Sequence, residues 1–112
     1  IAIAPASQRV RVIFNGQVIA ETTRALMLRE ASYKPVFYIP REDAQMALLE
    51  RTAHSTMCPY KGDASYYSIR AGGRISENAI WSYETPYPAV SEIAGHLAFY
   101  PNRVDKIEAV PA

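Results

Sequence analysis

The sequence predicts a mainly β fold, in which small antiparallel sheets form a sandwich, barrel or tent-like arrangement around one short α-helix. Short runs rich in β-branched and aromatic residues recur along the chain, separated by turn signals. Only one segment has a helical period. The 112 residues suit a single domain, and 49% of them are hydrophobic, which is enough for one modest core. We therefore expect one domain over residues 9–112, preceded by a flexible lead-in over residues 1–8.

The strands are predicted from local patterns. In RVRVIFNGQVIA, Val10, Val12 and Phe14 alternate with their neighbours, and Asn15-Gly16 is a hairpin turn signal because both residues tolerate positive φ. The other runs are short, β-rich and bounded by proline, glycine or polar residues. The predicted strands lie at 9–14, 17–20, 25–30, 35–40, 64–70 and 78–84, with two more on either side of Pro101-Asn102.

Residues 40–52, PREDAQMALLERT, are the only good helix candidate. Pro40 can open a helix, and the acidic pair Glu42 and Asp43 suits the positive end of the helix dipole. An apolar stripe follows at the helical spacing i, i+3, i+4. The pattern predicts an α-helix at about residues 41–50.

Composition excludes several classes of partner. The formal net charge is only +1 with no basic run, so no nucleic acid is expected as a partner. No apolar stretch approaches the ~20 residues needed to cross a bilayer, and the first residues lack a signal-peptide pattern. A single cysteine cannot form an internal disulfide or a four-thiolate zinc site. We expect a cytoplasmic protein without cofactor or metal, either a monomer or a homodimer joined through exposed β edges.

The stretch STMCPYKGDASYY concentrates reactive and turn-forming residues. Cys58 is a candidate nucleophile or redox thiol if Lys61 or His54 supplies a neighbouring cation. The alternative is a small buried hydrophobic residue, which free cysteine usually is. Between Pro59 and Gly62, Lys61 is held on a stiff turn, where it could bind a phosphate or carboxylate. Its alternative is a solvated loop lysine.

Arg41, Glu42 and Asp43 form a second polar cluster. Arg41 could clamp an anion, with Glu42 or Asp43 as a base or metal ligand. Helix electrostatics is the favoured explanation of the two acids, but it does not explain Arg41, because a cation is unfavourable at a helix N-terminus.

Four aromatic residues fall on two consecutive predicted strands. Trp81 and Tyr83 share a face, whereas Tyr66 and Tyr67 point to opposite faces, so that one of the two tyrosines is available to stack on a ligand. The alternative, favoured for most of the four, is packing in the core. His54 and His96 lack the spacing of a metal site.

Four blocks carry a family resemblance: YIPREDAQMALLERT, STMCPYKGDASYYSI, AIWSYETPYP and IAGHLAFYP. Over about residues 12–110 the chain resembles the bacterial family catalogued as domain of unknown function 427, which is also labelled a nucleotidyltransferase-type domain. The resemblance implies a β-tent-like fold, similar to that of zinc-bearing exchange factors and methionine sulfoxide reductases. The family motifs fall on Arg41, Glu42, Asp43, Cys58, Tyr60, Lys61, Gly62, Tyr66, Trp81 and Tyr83.

The sequence also departs from these relatives. Some of them carry two CxxC zinc motifs, whereas Cys58 stands alone, so no structural zinc is expected and reductase chemistry would lack a resolving thiol. Adjacent Glu42 and Asp43 would point about 100° apart on a helix, which does not suit the shared Mg²⁺ of a nucleotidyltransferase. A glycine-rich phosphate loop is also missing.

The sequence is compatible with three functions. The leading hypothesis is a pocket for a small anionic or aromatic ligand, with positive charge from Lys61 and Arg41. Its expected lining is completed by Glu42, Tyr60, Tyr66, Tyr67, Trp81 and Tyr83. The first alternative is an enzyme that uses Cys58 and Lys61, and the second is a protein-interaction module that uses the aromatic surface.

Overall fold

The structure is a computed structural model that describes residues 1–112. It is built from ten strands and four 3-10 turns. The strands are β1 (Ala2–Pro5), β2 (Gln8–Phe14), β3 (Gln17–Thr22), β4 (Leu26–Arg29), β5 (Val36–Tyr38), β6 (Leu49–Cys58), β7 (Gly62–Ala71), β8 (Arg74–Ser82), β9 (Ala98–Phe99) and β10 (Lys106–Pro111). The 3-10 turns are Arg41–Asp43, Met46–Leu48, Pro88–Ile93 and Pro101–Arg103.

The strands form three antiparallel sheets, which confirms the predicted mainly β class. Their orders are β1-β4-β5, β10-β2-β3 and β6-β7-β8-β9. The predicted hairpin joins β2 to β3, and Asn15 and Gly16 take the positive φ values of 51° and 75° that its turn requires. Two isolated bridges, Ala20 with Ala44 and Ile39 with Leu97, tie the sheets to one another.

The prediction of an α-helix at about residues 41–50 is wrong. Two 3-10 turns occupy Arg41–Asp43 and Met46–Leu48, and β6 begins at Leu49. Tertiary pairing explains the difference: the Gln45 N–H donates to the Ile19 carbonyl at 2.8 Å, and Ala44 bridges Ala20 on β3. The segment extends to satisfy the edge of β3, so it cannot close α-helical hydrogen bonds.

Two other segments differ from the sequence-based expectation. Within the expected lead-in, residues 2–5 form β1, which pairs with β4, and the Ala6 N–H continues the contact to the Ala25 carbonyl at 2.9 Å. Strand β6 was not predicted, because most of its side chains are exposed and polar. Its backbone pairs with β7, which fixes it as the edge of the four-stranded sheet.

The apolar core has two clusters. The larger contains fifteen buried residues, including Val10, Val12, Ile19 and Ile80, and lies between the β2-β3 hairpin and the four-stranded sheet. The smaller contains eight residues and is rich in tyrosine. No helix in the structure is long and apolar enough to span a membrane.

Asn15, in the turn of the β2-β3 hairpin, also contacts the turn of the β7-β8 hairpin. The Asn15 Nδ2 group donates to the carbonyls of Ala71 and Gly72 at 3.0 and 3.2 Å, on the turn that joins β7 to β8. Gly72 has φ of 59°, and a Cβ added there would collide with the Asn15 amide; Gly73 has φ of 82° with open space around it.

This pair of glycines yields a matched prediction. Gly73→Ala should cost about 1 kcal/mol, the usual cost of a left-handed backbone for a non-glycine residue. Gly72→Ala should cost at least about 1 kcal/mol more, because it also displaces two hydrogen bonds. Urea denaturation of both variants measures the difference, and equal midpoints would contradict the role of Asn15 as the joint between the hairpins.

Candidate functional site

A cavity of about 580 Å³ opens where the end of β4, the β6-β7 turn and the end of β8 approach one another. Half of the fourteen residues that line it are aromatic. The lining consists of Leu28, Glu30, Tyr33, Lys34, Val36, Tyr38, Cys58, Pro59, Tyr60, Lys61, Tyr66, Trp81, Tyr83 and Tyr100.

The tight turn between β6 and β7 presents Lys61 to this cavity. The Lys61 N–H donates to the Cys58 carbonyl at 3.3 Å, and the Lys61 carbonyl accepts from the Tyr87 N–H at 2.9 Å. Gly62 follows with φ of 113°, a conformation that side-chain-bearing residues rarely adopt. Hydrogen bonds therefore hold the turn through both the N–H and the carbonyl of Lys61, so the backbone from which the lysine side chain extends is fixed.

The Lys61 ammonium group is buried and paired. The residue is only 7% exposed, and its Nζ lies 2.6 Å from Oε1 of Glu30, which is near the end of β4. The same nitrogen lies 3.6 Å from the Sγ of Cys58 and 5.9 Å from the centre of the Tyr83 ring. Lys61 is thus not a solvated loop lysine, and its charge is already balanced within the protein.

The charged form of Lys61 is favoured by this environment. Burial alone would lower its pKa, but the hydrogen bond to Glu30, with the nearby thiol and carboxylate, raises it above the ordinary value of 10.5. On the alkaline side, the stability that comes from the Lys61 proton is fully present below pH 10.5 and is lost as the pH rises through the raised pKa.

Cys58 sits at the end of β6 and is half-buried. The ammonium of Lys61 lies 3.6 Å from its Sγ. His54, the other candidate partner, packs its ring against Tyr66 with a centroid distance of 4.4 Å.

Tyrosines and one tryptophan form a connected wall on the far side of the cavity. The Trp81 Nε1 group donates to the Tyr38 hydroxyl at 3.2 Å, and the Trp81 and Tyr100 ring centroids are 4.5 Å apart. The Tyr66 hydroxyl lies 2.9 Å from the Thr56 hydroxyl and 3.4 Å from that of Tyr100. Burial, together with the contact to Tyr66, raises the pKa of Tyr100 to about 12, so this wall is neutral at physiological pH.

Tyr83 differs from the other tyrosines of the wall. It is only 7% exposed and lines the cavity, and no side chain of the protein hydrogen-bonds its hydroxyl. Because no fully enclosed side-chain oxygen lacks a partner, this hydroxyl is open to solvent in the cavity. Burial raises its pKa well above the ordinary value, which keeps the hydroxyl protonated. The cavity therefore contains a neutral donor and acceptor that a ligand can engage without competing with a protein group.

Arg41 lies outside this cavity, so the prediction that it lines one pocket with Lys61 is wrong. Its guanidinium donates to the Tyr67 hydroxyl at 3.0 Å and to Glu84 at 3.1 Å. Arg51 binds the second oxygen of the same carboxylate at 2.9 Å. Burial opposes the charge on Glu84, but the bond to Tyr67 and the charge of Arg51 lower its pKa below the ordinary value.

Two further residues of the predicted lining are also elsewhere. Tyr67 is buried in the larger core cluster, with its hydroxyl on Glu84. Glu42 is exposed and pairs with Arg24, which also binds Asp43. The predicted lining residues that do reach the cavity are Tyr60, Lys61, Tyr66, Trp81 and Tyr83, and the candidate nucleophile Cys58 also lines it.

Several residues of the cavity were missed from the sequence. Glu30 and Tyr38 fall in segments predicted only as strands, and Tyr100 in a strand near the C-terminus. Tyr33 and Lys34 stand in a connection that carried no motif. Nothing in the local pattern shows that Glu30 meets Lys61, because 31 positions separate them.

Comparison with protein families gives one match. Residues 2–110 match the family model described as Domain of unknown function (DUF427). The chain belongs to this family. The resemblance predicted from the sequence motifs is therefore confirmed, and the nucleotidyltransferase label is only the name of the DUF427 model. A search of the curated proteins finds no match to the chain.

The buried ion pair of this DUF427 domain yields a stability prediction. Lys61→Met should destabilise the fold by about 2–4 kcal/mol, because it leaves the Glu30 carboxylate without its partner. Lys34→Met, at an exposed lysine that lines the same cavity, should change stability by less than about 0.5 kcal/mol. Chemical denaturation at pH 7 compares the two variants; similar losses would show that the Lys61–Glu30 pair adds nothing specific.

Proposed function

We propose that the cavity binds a small neutral ligand with an aromatic ring and a hydrogen-bonding group, such as a phenol or a heteroaromatic amide. The observation that carries this proposal is a wall of aromatic side chains facing a lysine whose charge is already neutralised by Glu30 at 2.6 Å. Cavities of several hundred Å³ with apolar walls and a few placed polar groups are typical of small-molecule sites.

The charge of the site favours a neutral ligand over an anion. Lys61 and Glu30 sum to zero, so an anion that approached the buried ammonium would also meet the carboxylate. The other cation of the lining, Lys34, is exposed, so water and salt screen its charge. Arg41, the other cation expected to attract an anion, is bound to Glu84 away from the cavity. Of the anionic and aromatic ligands considered from the sequence, the aromatic class is thus better supported.

The polar groups of the cavity favour a ligand with a donor or an acceptor. No side chain of the protein hydrogen-bonds the Tyr83 hydroxyl, which lines the cavity. The Tyr38 hydroxyl accepts from Trp81, which leaves its own proton to donate. A ring stacked between tyrosine and tryptophan side chains would bring a polar substituent within reach of these hydroxyls.

An enzyme that uses Cys58 is the second candidate function. The observation in its favour is the ammonium of Lys61 at 3.6 Å from the sulfur, since a neighbouring cation stabilises a thiolate. The interaction-module hypothesis has less support, because it expects a flat apolar patch, whereas Trp81 lies in the wall of a concavity.

The setting proposed for this ligand-binding domain is the bacterial cytoplasm. The unpaired Cys58 supports a reducing compartment, where free thiols persist.

An NMR titration tests the proposal. Trp81 is the only tryptophan, so its indole N–H gives one signal that reports on the cavity. Phenol should shift this signal in a saturable manner. Cyclohexanol should bind more weakly because it lacks the aromatic face. Benzoate should bind no more tightly than phenol, because its negative charge adds no affinity. Tyr83→Phe should weaken phenol binding roughly three- to tenfold, the value of one hydrogen bond, while stability changes by less than about 0.5 kcal/mol.

Two control variants separate the alternatives. Tyr33→Phe removes an equivalent hydroxyl from an exposed residue of the lining and should leave phenol binding unchanged. Cys58→Ser should also preserve phenol binding. If instead the unmodified protein converts a compound to product and Cys58→Ser abolishes that turnover, the enzyme hypothesis is favoured. If none of the three compounds perturbs the Trp81 signal, the proposed function is wrong.

A further inference from the structure

A second cavity, also of about 580 Å³, adjoins the first at Trp81. Three residues line both cavities: Lys34, Val36 and Trp81. The remaining lining of the second cavity comes from Val10, Val12, Pro35, Phe37, Ile39, Phe99, Pro101, Asp105, Lys106 and Ile107. A ligand held against Trp81 in the first cavity is therefore next to the second.

The walls of the second cavity are core side chains. Val10, Val12, Ile39 and Phe99 are at most 5% exposed, so the cavity reaches the larger apolar cluster itself. Half-buried Ile107 on β10 closes one side. An occupant that contacts these walls must be apolar, because a buried polar group would find no partner there.

The polar residues at the rim of the second cavity are largely engaged. The Asp105 carboxylate accepts from the Asn15 N–H at 2.6 Å and pairs with Arg74 at 3.5 Å. Lys106 pairs with Glu108 at 3.3 Å. Lys34 is exposed and stands at the junction of the two cavities, where it can meet a polar linker such as an ester or amide oxygen.

We infer that the ligand is amphipathic: an aromatic polar head occupies the first cavity, and an apolar chain of the same molecule passes Trp81 into the second. This inference rests on the proposed function and names the ligand class of that site. The two cavities are adjacent, since they share three lining residues, and their linings differ in polarity; both observations support the inference. Burial of the chain against Val12 and Ile39 supplies affinity that the head alone lacks.

A homologous series of esters tests the inference. Methyl, butyl and hexyl 4-hydroxybenzoate carry the same neutral head and differ only in chain length. The dissociation constant, measured by titration of the Trp81 signal and by calorimetry, should fall with each added methylene by up to about fourfold, the factor for one fully buried CH₂.

A matched pair of variants locates the chain. Ile107→Trp places bulk in the second cavity and should abolish the gain from methyl to hexyl while the methyl ester binds as before. Ile75→Trp is the same change at an exposed isoleucine of β8 that lines neither cavity, and it should keep the full gain. In the unmodified protein, the terminal methyl of the hexyl ester should give intermolecular NOEs to Val12 and Ile107.

The outcomes distinguish this inference from the proposed function. If the methyl ester binds but affinity does not rise with chain length, the amphipathic ligand is wrong and the aromatic head site stands. A hexyl chain whose NOEs fall on residues outside the second cavity would overturn the inference even if Ile107→Trp failed to fold. Absence of binding by every ester would overturn both.

Discussion

The ion pair between Lys61 and Glu30 is the constraint on which the first cavity depends. It joins the β6-β7 turn to the end of β4, two elements of different sheets, across 2.6 Å. A lysine that is only 7% exposed would be strongly unfavourable without such a partner. Because the pair satisfies its own charge, aromatic rings and hydroxyl groups dominate the rest of the lining, in which exposed Lys34 is the other charged residue.

Two cations singled out from the sequence therefore have separate roles. Lys61 is paired inside the cavity, whereas Arg41 stacks over Tyr67 at 5.3 Å and shares the Glu84 carboxylate with Arg51. The Glu84 cluster connects the Arg41 turn to the four-stranded sheet and leaves that carboxylate fully hydrogen-bonded. This cluster joins parts of the structure, and the cavity at Lys61 is where we propose that a ligand binds.

The sequence was most informative where local rules decide the structure. The Asn15-Gly16 hairpin, the mainly β class and the presentation of Lys61 by a stiff turn all follow from short-range steric preferences. It failed at residues 41–50, where a helical stripe was overridden by pairing of Ala44 with Ala20, and at β6, an edge strand without an apolar period. The partners of Lys61 and Arg41 could not be predicted, because Glu30 and Glu84 are brought to them only by the packing of the sheets.

The charge state of Lys61 can be measured by following its side-chain ¹⁵Nζ signal through an alkaline pH titration. Since the hydrogen bond and the neighbouring negative charge outweigh burial, Lys61 should keep its proton beyond pH 10.5, and Glu30→Gln should lower its pKa. A Lys61 amine that lost its proton below pH 10.5 in the unmodified protein would contradict the paired, neutralised cavity on which the ligand assignment is built.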